Sequence, residues 1–85
     1  MFQIDYTPRA EREYHKLPAE IQEEVKGAMI PALQSGPFRH PIRKIIKKFK
    51  GKLKDQYRFR LSPSWRCMYR VEGNRVILLY FYFKG

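Results

Sequence analysis

The C-terminal third of this chain alternates between apolar and basic residues. Tyr57-Arg58-Phe59-Arg60-Leu61 puts Tyr57, Phe59 and Leu61 on one side of an extended backbone and Arg58 and Arg60 on the other, because successive side chains of a strand point to opposite faces. Ser62-Pro63-Ser64 turns the chain, after which Trp65, Cys67, Tyr69 and Val71 alternate with Arg66, Met68 and Arg70. Glu72-Gly73-Asn74 reads as a hairpin turn. Val76 to Phe83 is apolar on both faces, the pattern of a central strand. Three strands this close in sequence commit the region to an antiparallel sheet with one apolar side and one arginine side.

The N-terminal half supplies what covers the apolar side. Phe2, Ile4 and Tyr6 alternate with Gln3 and Asp5, which predicts a short strand over 2–6. Thr7-Pro8 reads as a helix start, with Thr7 as N-cap and Pro8 in the first turn. Ala10, Tyr14 and Leu17 make one helical stripe, and Pro18 ends it. A second helix from Ala19 carries Glu20, Glu23 and Glu24 early, where they suit the helix dipole. Its apolar stripe is Ile21, Val25, Ala28 and Met29, and Pro31, which cannot donate to the Gly27 carbonyl, predicts an end or a kink. From Phe38 to Asp55 the chain reads as a basic connector, although Ile42, Ile45, Ile46 and Phe49 also fit helical spacing. The expectation is an α+β domain over 1–85, ordered β-α-α-β-β-β. It has a small, mostly antiparallel twisted sheet with two N-terminal helices on one face.

Charge divides the chain at the same place. Residues 1–38 hold four basic and six acidic residues, net −2, whereas residues 39–85 hold fourteen basic and two acidic, net +12. A solvated lysine-rich loop would explain part of this, but the arginines run on into apolar strands, where solubility alone does not place them. Arginine forks bidentately onto phosphate oxygens. Pairing with carboxylates is a weak alternative, since this half offers only Asp55, Glu72 and the terminus. Arg58, Arg60, Arg66 and Arg70 are therefore candidates for a polyanion face. Tyr80 and Tyr82 would stack on bases if they share that face, and Lys44, Lys47, Lys48, Lys50, Lys52 and Lys54 would contact phosphates.

Other chemistries find little support. A single cysteine, Cys67, permits no internal disulfide or cysteine-based zinc site, and it falls among the apolar set. His15 and His40 have no readable partner, and no paired carboxylates, nucleophile triad or phosphate-cradling glycine loop is present. No metal or cofactor is expected. The longest apolar stretch is Val76 to Phe83, far below the roughly 20 residues of a membrane span. The N-terminus does not read as a secretory signal, so the expected location is the cytoplasm, away from any membrane.

The ordered set Tyr6-Thr7-Pro8-Arg9-Ala10-Glu11, Lys16-Leu17-Pro18, Phe49-Lys50-Gly51, Tyr57-Arg58-Phe59-Arg60-Leu61 and Ser64-Trp65-Arg66-Cys67-Met68-Tyr69-Arg70-Val71 resembles the RelE/ParE superfamily of type II toxin–antitoxin toxins. The resemblance spans nearly the whole chain. It implies a toxin restrained by an acidic antitoxin that covers the arginine face. In the RelE-like branch it further implies a ribosome-dependent mRNA endonuclease that needs no metal and contacts mRNA and ribosomal RNA. Arg58 and Arg60 would then position the scissile phosphate and Arg66 would stabilise its transition-state charge. Lys84 would take part of the acid–base role, since the chain departs from the family in lacking its usual late basic residue and Tyr or His. RelE-type members also often have lysines at the positions of Arg58 and Arg60, and arginine is a poor base. A non-enzymatic ParE-like inhibitor of DNA gyrase, a catalytically weak RNA-binding homologue and a generic RNA-binding module are the alternatives.

Overall fold

The computed structural model describes residues 1–53 and 55–85. Its strands are β1 (Gln3–Tyr6), β2 (Ile46–Lys48), β3 (Gln56–Arg60), β4 (Trp65–Glu72) and β5 (Arg75–Phe83). Its helices are α1 (Pro8–Lys16), α2 (Ala19–Glu24) and α3 (Ile30–Ser35). The sheet order is β1-β5-β4-β3-β2, with β1 parallel to β5 and every other pair antiparallel. This is the expected α+β arrangement with one strand more than the sequence pattern shows.

The extra strand is β2, inside the basic connector. Ile46 pairs with Phe59, Lys47 with Arg58 and Lys48 with Tyr57. With three residues and one apolar side chain, β2 has too little periodicity to be read from sequence. It exists because β3 offers it an open edge, and the helical spacing of Ile42, Ile45, Ile46 and Phe49 is coincidental. Lys44, at φ 69, turns the chain into it.

Each helix begins and ends for a local reason. Thr7 caps α1, its hydroxyl accepting from the Ala10 N–H at 3.1 Å. Leu17 is extended ahead of Pro18, as residues before proline tend to be. The interruption expected near Pro31 takes the form of a π-helical turn over Val25–Met29. Ile30 N–H reaches back to the Val25 carbonyl, Pro31 has no N–H to give, and the helical path continues through α2, the π-turn and α3. Between β4 and β5 the two-residue turn needs its first residue at positive φ, which Gly73 supplies at 61°.

The core lies where the two periodicities meet. Ala10, Tyr14, Leu17, Ile21, Val25, Met29 and Leu33 from the helices pack on Tyr57, Phe59, Cys67, Tyr69, Val76, Leu78 and Phe81 from the sheet. Tyr57 and Tyr69 stack across β3 and β4, with ring centroids 5.5 Å apart. The hydroxyl of Tyr69, a side chain with no exposed surface, donates to the Pro37 carbonyl at 2.6 Å. That bond ties the end of the helical segment to the middle of the sheet.

Two consequences are measurable. Val25 is wholly buried, so Val25→Asp places an unpaired charge in the core at a cost of several kcal/mol, against a total stability of about 5–15 kcal/mol. The variant should be unfolded by circular dichroism and thermal melting; a parent-like melt would refute the core assignment. The second is alkaline sensitivity. Burial pushes up the Tyr69 phenol and the Cys67 thiol, and it pushes the Tyr6 phenol up to about 12, with Tyr14 adding to it. The folded state holds these protons more tightly than the unfolded chain, so stability is intact below the unfolded values and falls as pH rises beyond them. The urea midpoint should drop between pH 7 and pH 11, starting near the ordinary thiol value of about 8.5. Tyr69→Phe should reduce that drop.

Candidate nucleic-acid interface

The cross-strand register defines the face opposite the helices. Arg58 stands across from Met68, Arg60 from Arg66, Arg66 from Tyr82 and Met68 from Tyr80. Lys47 extends the face through its pairing with Arg58. Arg58, Arg60, Arg66, Tyr80 and Tyr82 therefore share one face, as the alternation of β3 and β4 predicts.

For the two tyrosines this placement needs a break in β5. Val76 and Leu78 face the helices, and unbroken alternation would send Tyr80 and Tyr82 there too. Instead Met68 pairs with Tyr80 while Tyr69 pairs with Leu78, so Leu79 is the extra residue of a β-bulge. Beyond it Phe81 turns to the core and Tyr80 and Tyr82 turn to the arginines, their rings 5.9 Å apart.

Among the described residues Arg66 is the most enclosed cation, only 7% exposed. Its Nη1 donates to the carbonyls of Ser62, Pro63 and Trp65 at 2.9, 3.1 and 3.2 Å. The Ser62–Ser64 turn that presents them is itself braced, with Ser62 Oγ accepting from the N–H groups of Ser64 and Trp65. Arg58 Nη2 donates to the Lys44 carbonyl at 2.6 Å. Neutral carbonyls orient both guanidiniums without neutralising them. The Nε atoms of Arg58 and Arg66 are buried and make no hydrogen bond within the protein. Burial, then the neighbouring Arg66 charge, lowers the Arg58 pKa, with Arg60 adding to this and Tyr82 opposing it. Such a cluster of like charges is relieved by an anion.

Among the described residues the ion pairs are Arg9–Glu13, Arg70–Glu72 and Arg75–Asp5. Arg58, Arg60 and Arg66 are in none of them. Arg70 is, at 3.0 Å, so the carboxylate pairing that looked weak from composition does hold for one of the four candidate arginines. It lies opposite Gln56, at the other end of β3 from Arg60, and is apart from the cluster.

The lysines are not equivalent. Lys47 is on the arginine face, whereas Lys48 opposes Tyr57 on the helix side and holds its Nζ 6.0 Å from that ring. Lys44 contributes its carbonyl to Arg58 and is exposed, as are Lys50 and Lys52. Lys54 lies outside the described residues. Lys84 N–H donates to the Ser64 carbonyl at 2.6 Å, which sets Lys84 beside the turn that holds Arg66.

Sequence reasoning missed Arg9. It comes from the acidic half, yet its guanidinium lies 4.5 Å from the centre of the Tyr80 ring while its Nε donates to Glu13 at 3.0 Å. No pattern in the sequence links residues 9 and 80; only the path of α1 along β5 joins them. The remaining titratable candidates stay apart. Cys67 is fully buried with its thiol pushed up, which leaves little thiolate for nucleophilic work. His40 Nδ1 accepts from the Ile42 N–H at 3.0 Å, and His15 packs edge-on to Tyr14. Among the described residues no three His, Cys, Asp or Glu side chains gather as metal ligands do, and no helix is long and apolar enough to cross a membrane.

No family model matches the chain, and no curated protein matches it in sequence. Solved structures do match over its whole length. A YoeB/ParE toxin from Agrobacterium tumefaciens is 20% identical with a TM-score of 0.82, over 99% of this chain and all of that one. The YoeB-YefM complex from Staphylococcus aureus provides a match at 17% identity and TM-score 0.78, over 100% and 99%. YafQ from E. coli is 11% identical with a TM-score of 0.72, over 99% and 94%. The architecture that the sequence resemblance implies is therefore the one this chain adopts: the fold of the RelE/ParE-type toxins of toxin–antitoxin systems.

Proposed function

We propose that this chain is the toxin of a type II toxin–antitoxin pair, and that its arginine face takes RNA on the ribosome and cuts mRNA there without a metal. The observation that carries this reading is the trio Arg58, Arg60 and Arg66: three cations on paired strands, none with a carboxylate, two oriented by neutral carbonyls. A chain that needed these charges only for folding would gain more from pairing them with acids. Tyr80 and Tyr82 beside them suit a single strand whose bases stack while its phosphates meet guanidiniums.

The chemistry that fits is transesterification. The 2′-oxygen bonds to the adjacent phosphorus, the bond from phosphorus to the 5′-oxygen breaks, and a cyclic phosphate and a 5′-hydroxyl result. The nucleophile loses a proton and the leaving oxygen gains one. Arg66, fixed by the turn, holds charge on the non-bridging oxygens as they become more negative, a purely electrostatic task. Arg58 and Arg60 align the phosphate. Lys84, in its amine form, takes the proton from the 2′-hydroxyl, and the Tyr82 phenol gives one to the leaving 5′-oxygen; exchange with solvent then restores both. The same face suits an acidic antitoxin segment, whose binding should weaken as salt rises.

The test pairs single-turnover cleavage of ribosome-bound mRNA with ribosome affinity. Arg66→Ala should slow cleavage on the order of 10²–10³-fold and leave affinity largely intact. Lys47→Ala should weaken binding and lower the salt slope by about one unit, while Lys48→Ala, on the other side of β2, should do less. Cleavage by Arg66→Ala at the parent rate would move the site elsewhere. A parent that cuts no mRNA but traps gyrase on DNA would establish the ParE-like alternative instead.

A further inference from the structure

β5 is flanked by β1 for only half its length. The parallel pairing ends at Tyr6 and Leu78, and from Leu79 onward that edge of β5 faces α1. An unpaired, partly buried strand edge is costly, because each backbone N–H and C=O there needs a partner. Two side chains at the start and middle of α1 supply partners. The Thr7 hydroxyl lies 2.9 Å from the Leu78 carbonyl and 3.1 Å from the Leu79 carbonyl, the two carbonyls at the bulge, and the Thr7 N–H donates to Leu78 as well. Glu13 Oε1 accepts from the Phe81 N–H at 2.8 Å. Its other oxygen accepts from Arg9, whose guanidinium covers the Tyr80 ring.

We infer that Thr7 and Glu13 are positioning residues for the RNA face: by holding the β-bulge at Leu79 and the strand beyond it, they set Tyr80 and Tyr82 beside Arg58 and Arg66 as a base-stacking platform. This rests on the RNA-directed reading above for its function, but the geometry is testable without it. Thr7 performs two tasks with one hydroxyl. It accepts from Ala10 N–H as the helix cap, and it donates to β5 as the clamp. The two tasks separate chemically. Aspartate is as good an N-cap as threonine, yet an ionised carboxylate has no hydrogen to donate and repels the Leu78 and Leu79 carbonyls. Serine retains both functions. Glu13 is the second hold, and Arg9 completes the link from α1 to the platform.

The experiment uses the full chain and two readouts. The first is the cross-strand nuclear Overhauser contact between Met68 and Tyr80 together with that between Tyr69 and Leu78, which jointly report the register shift. The second is affinity for a short single-stranded RNA at fixed salt. In Thr7→Asp the Met68–Tyr80 contact should weaken or vanish while α1 remains helical, and RNA affinity should fall at least fivefold, the loss expected for one base–aromatic stack. Thr7→Ser should follow the parent in both. Glu13→Ala, a change at a side chain about 30% exposed, should weaken the same contact and slow-exchange protection of the Phe81 amide, so the inference stays testable if Thr7→Asp fails to fold. An unchanged register in both Thr7→Asp and Glu13→Ala would overturn the inference. An altered register with unchanged RNA affinity would overturn the role in recognition. A parent that binds no RNA would overturn the functional reading, and the register contacts would still decide whether Thr7 and Glu13 hold the bulge.

Discussion

β5 is the strand on which both halves of this molecule meet, and the pairing of its backbone is the constraint the rest satisfies. It borders β4 along its whole length, but its other edge is shared between β1 and α1. A helix cannot offer a ladder of backbone groups, so side chains must substitute. Thr7 and Glu13 do so from an element whose stripe, Ala10, Tyr14 and Leu17, is already packed in the core. The substitution changes the register of β5, and the register decides which residues face outward. A chain-entry detail at residue 7 thereby bears on the chemistry available at residues 80 and 82.

The second organising force is charge left uncompensated. Enclosing Arg66 takes it out of water, and its partners are carbonyls, which orient a guanidinium without cancelling its field. Arg58 is held in the same manner from the β2 side. The acids that would neutralise them sit elsewhere: Asp5 pairs with Arg75, Glu72 with Arg70, and Glu20, Glu23 and Glu24 lie on α2. Stability would favour moving one carboxylate into the trio. The arrangement retains a strong local field instead, which on the proposed reading acts on developing negative charge.

Most of this was legible in the sequence, and the exceptions have causes. Periodicity gave β1, β3, β4, β5, both helical segments and the core, because each element has a long apolar face to bury. It gave Arg58, Arg60 and Arg66 a common face for the same reason. It missed β2, which owes its existence to the edge of β3 rather than to its own pattern. It predicted an end or a kink at Pro31, and the structure resolves the choice with a wider hydrogen-bonded turn that lets the helical path continue. The face of Tyr80 and Tyr82 was left open, since an apolar run such as Val76–Phe83 has no polar residue to reveal a shift of one position. Arg9 was hidden by distance along the chain, and Arg70 looked free because two acids are few among fourteen basic residues, yet one of them, Glu72, ends the same strand and pairs with it.

The bulge also explains why β5 is apolar from Val76 to its end. A strand with a fixed register needs large apolar residues on one face only. Here Val76, Leu78 and Phe81 fill the core, while Ile77, Tyr80 and Tyr82 lie on the other side with Met68, which is itself buried under that face. One side of β5 is therefore packed by helices, and the other is half-buried, with the Tyr80 and Tyr82 rings against each other and the Arg9 guanidinium over Tyr80. Aromatic rings and arginine stems suit the second side, since they shield apolar surface and keep a polar end at its margin. On the proposed reading, the groups that would contact RNA are the same groups that close the outer side of the sheet. Truncating them then tests folding and recognition together, whereas changing Thr7 from threonine to aspartate alters where they point and leaves every one of them in place.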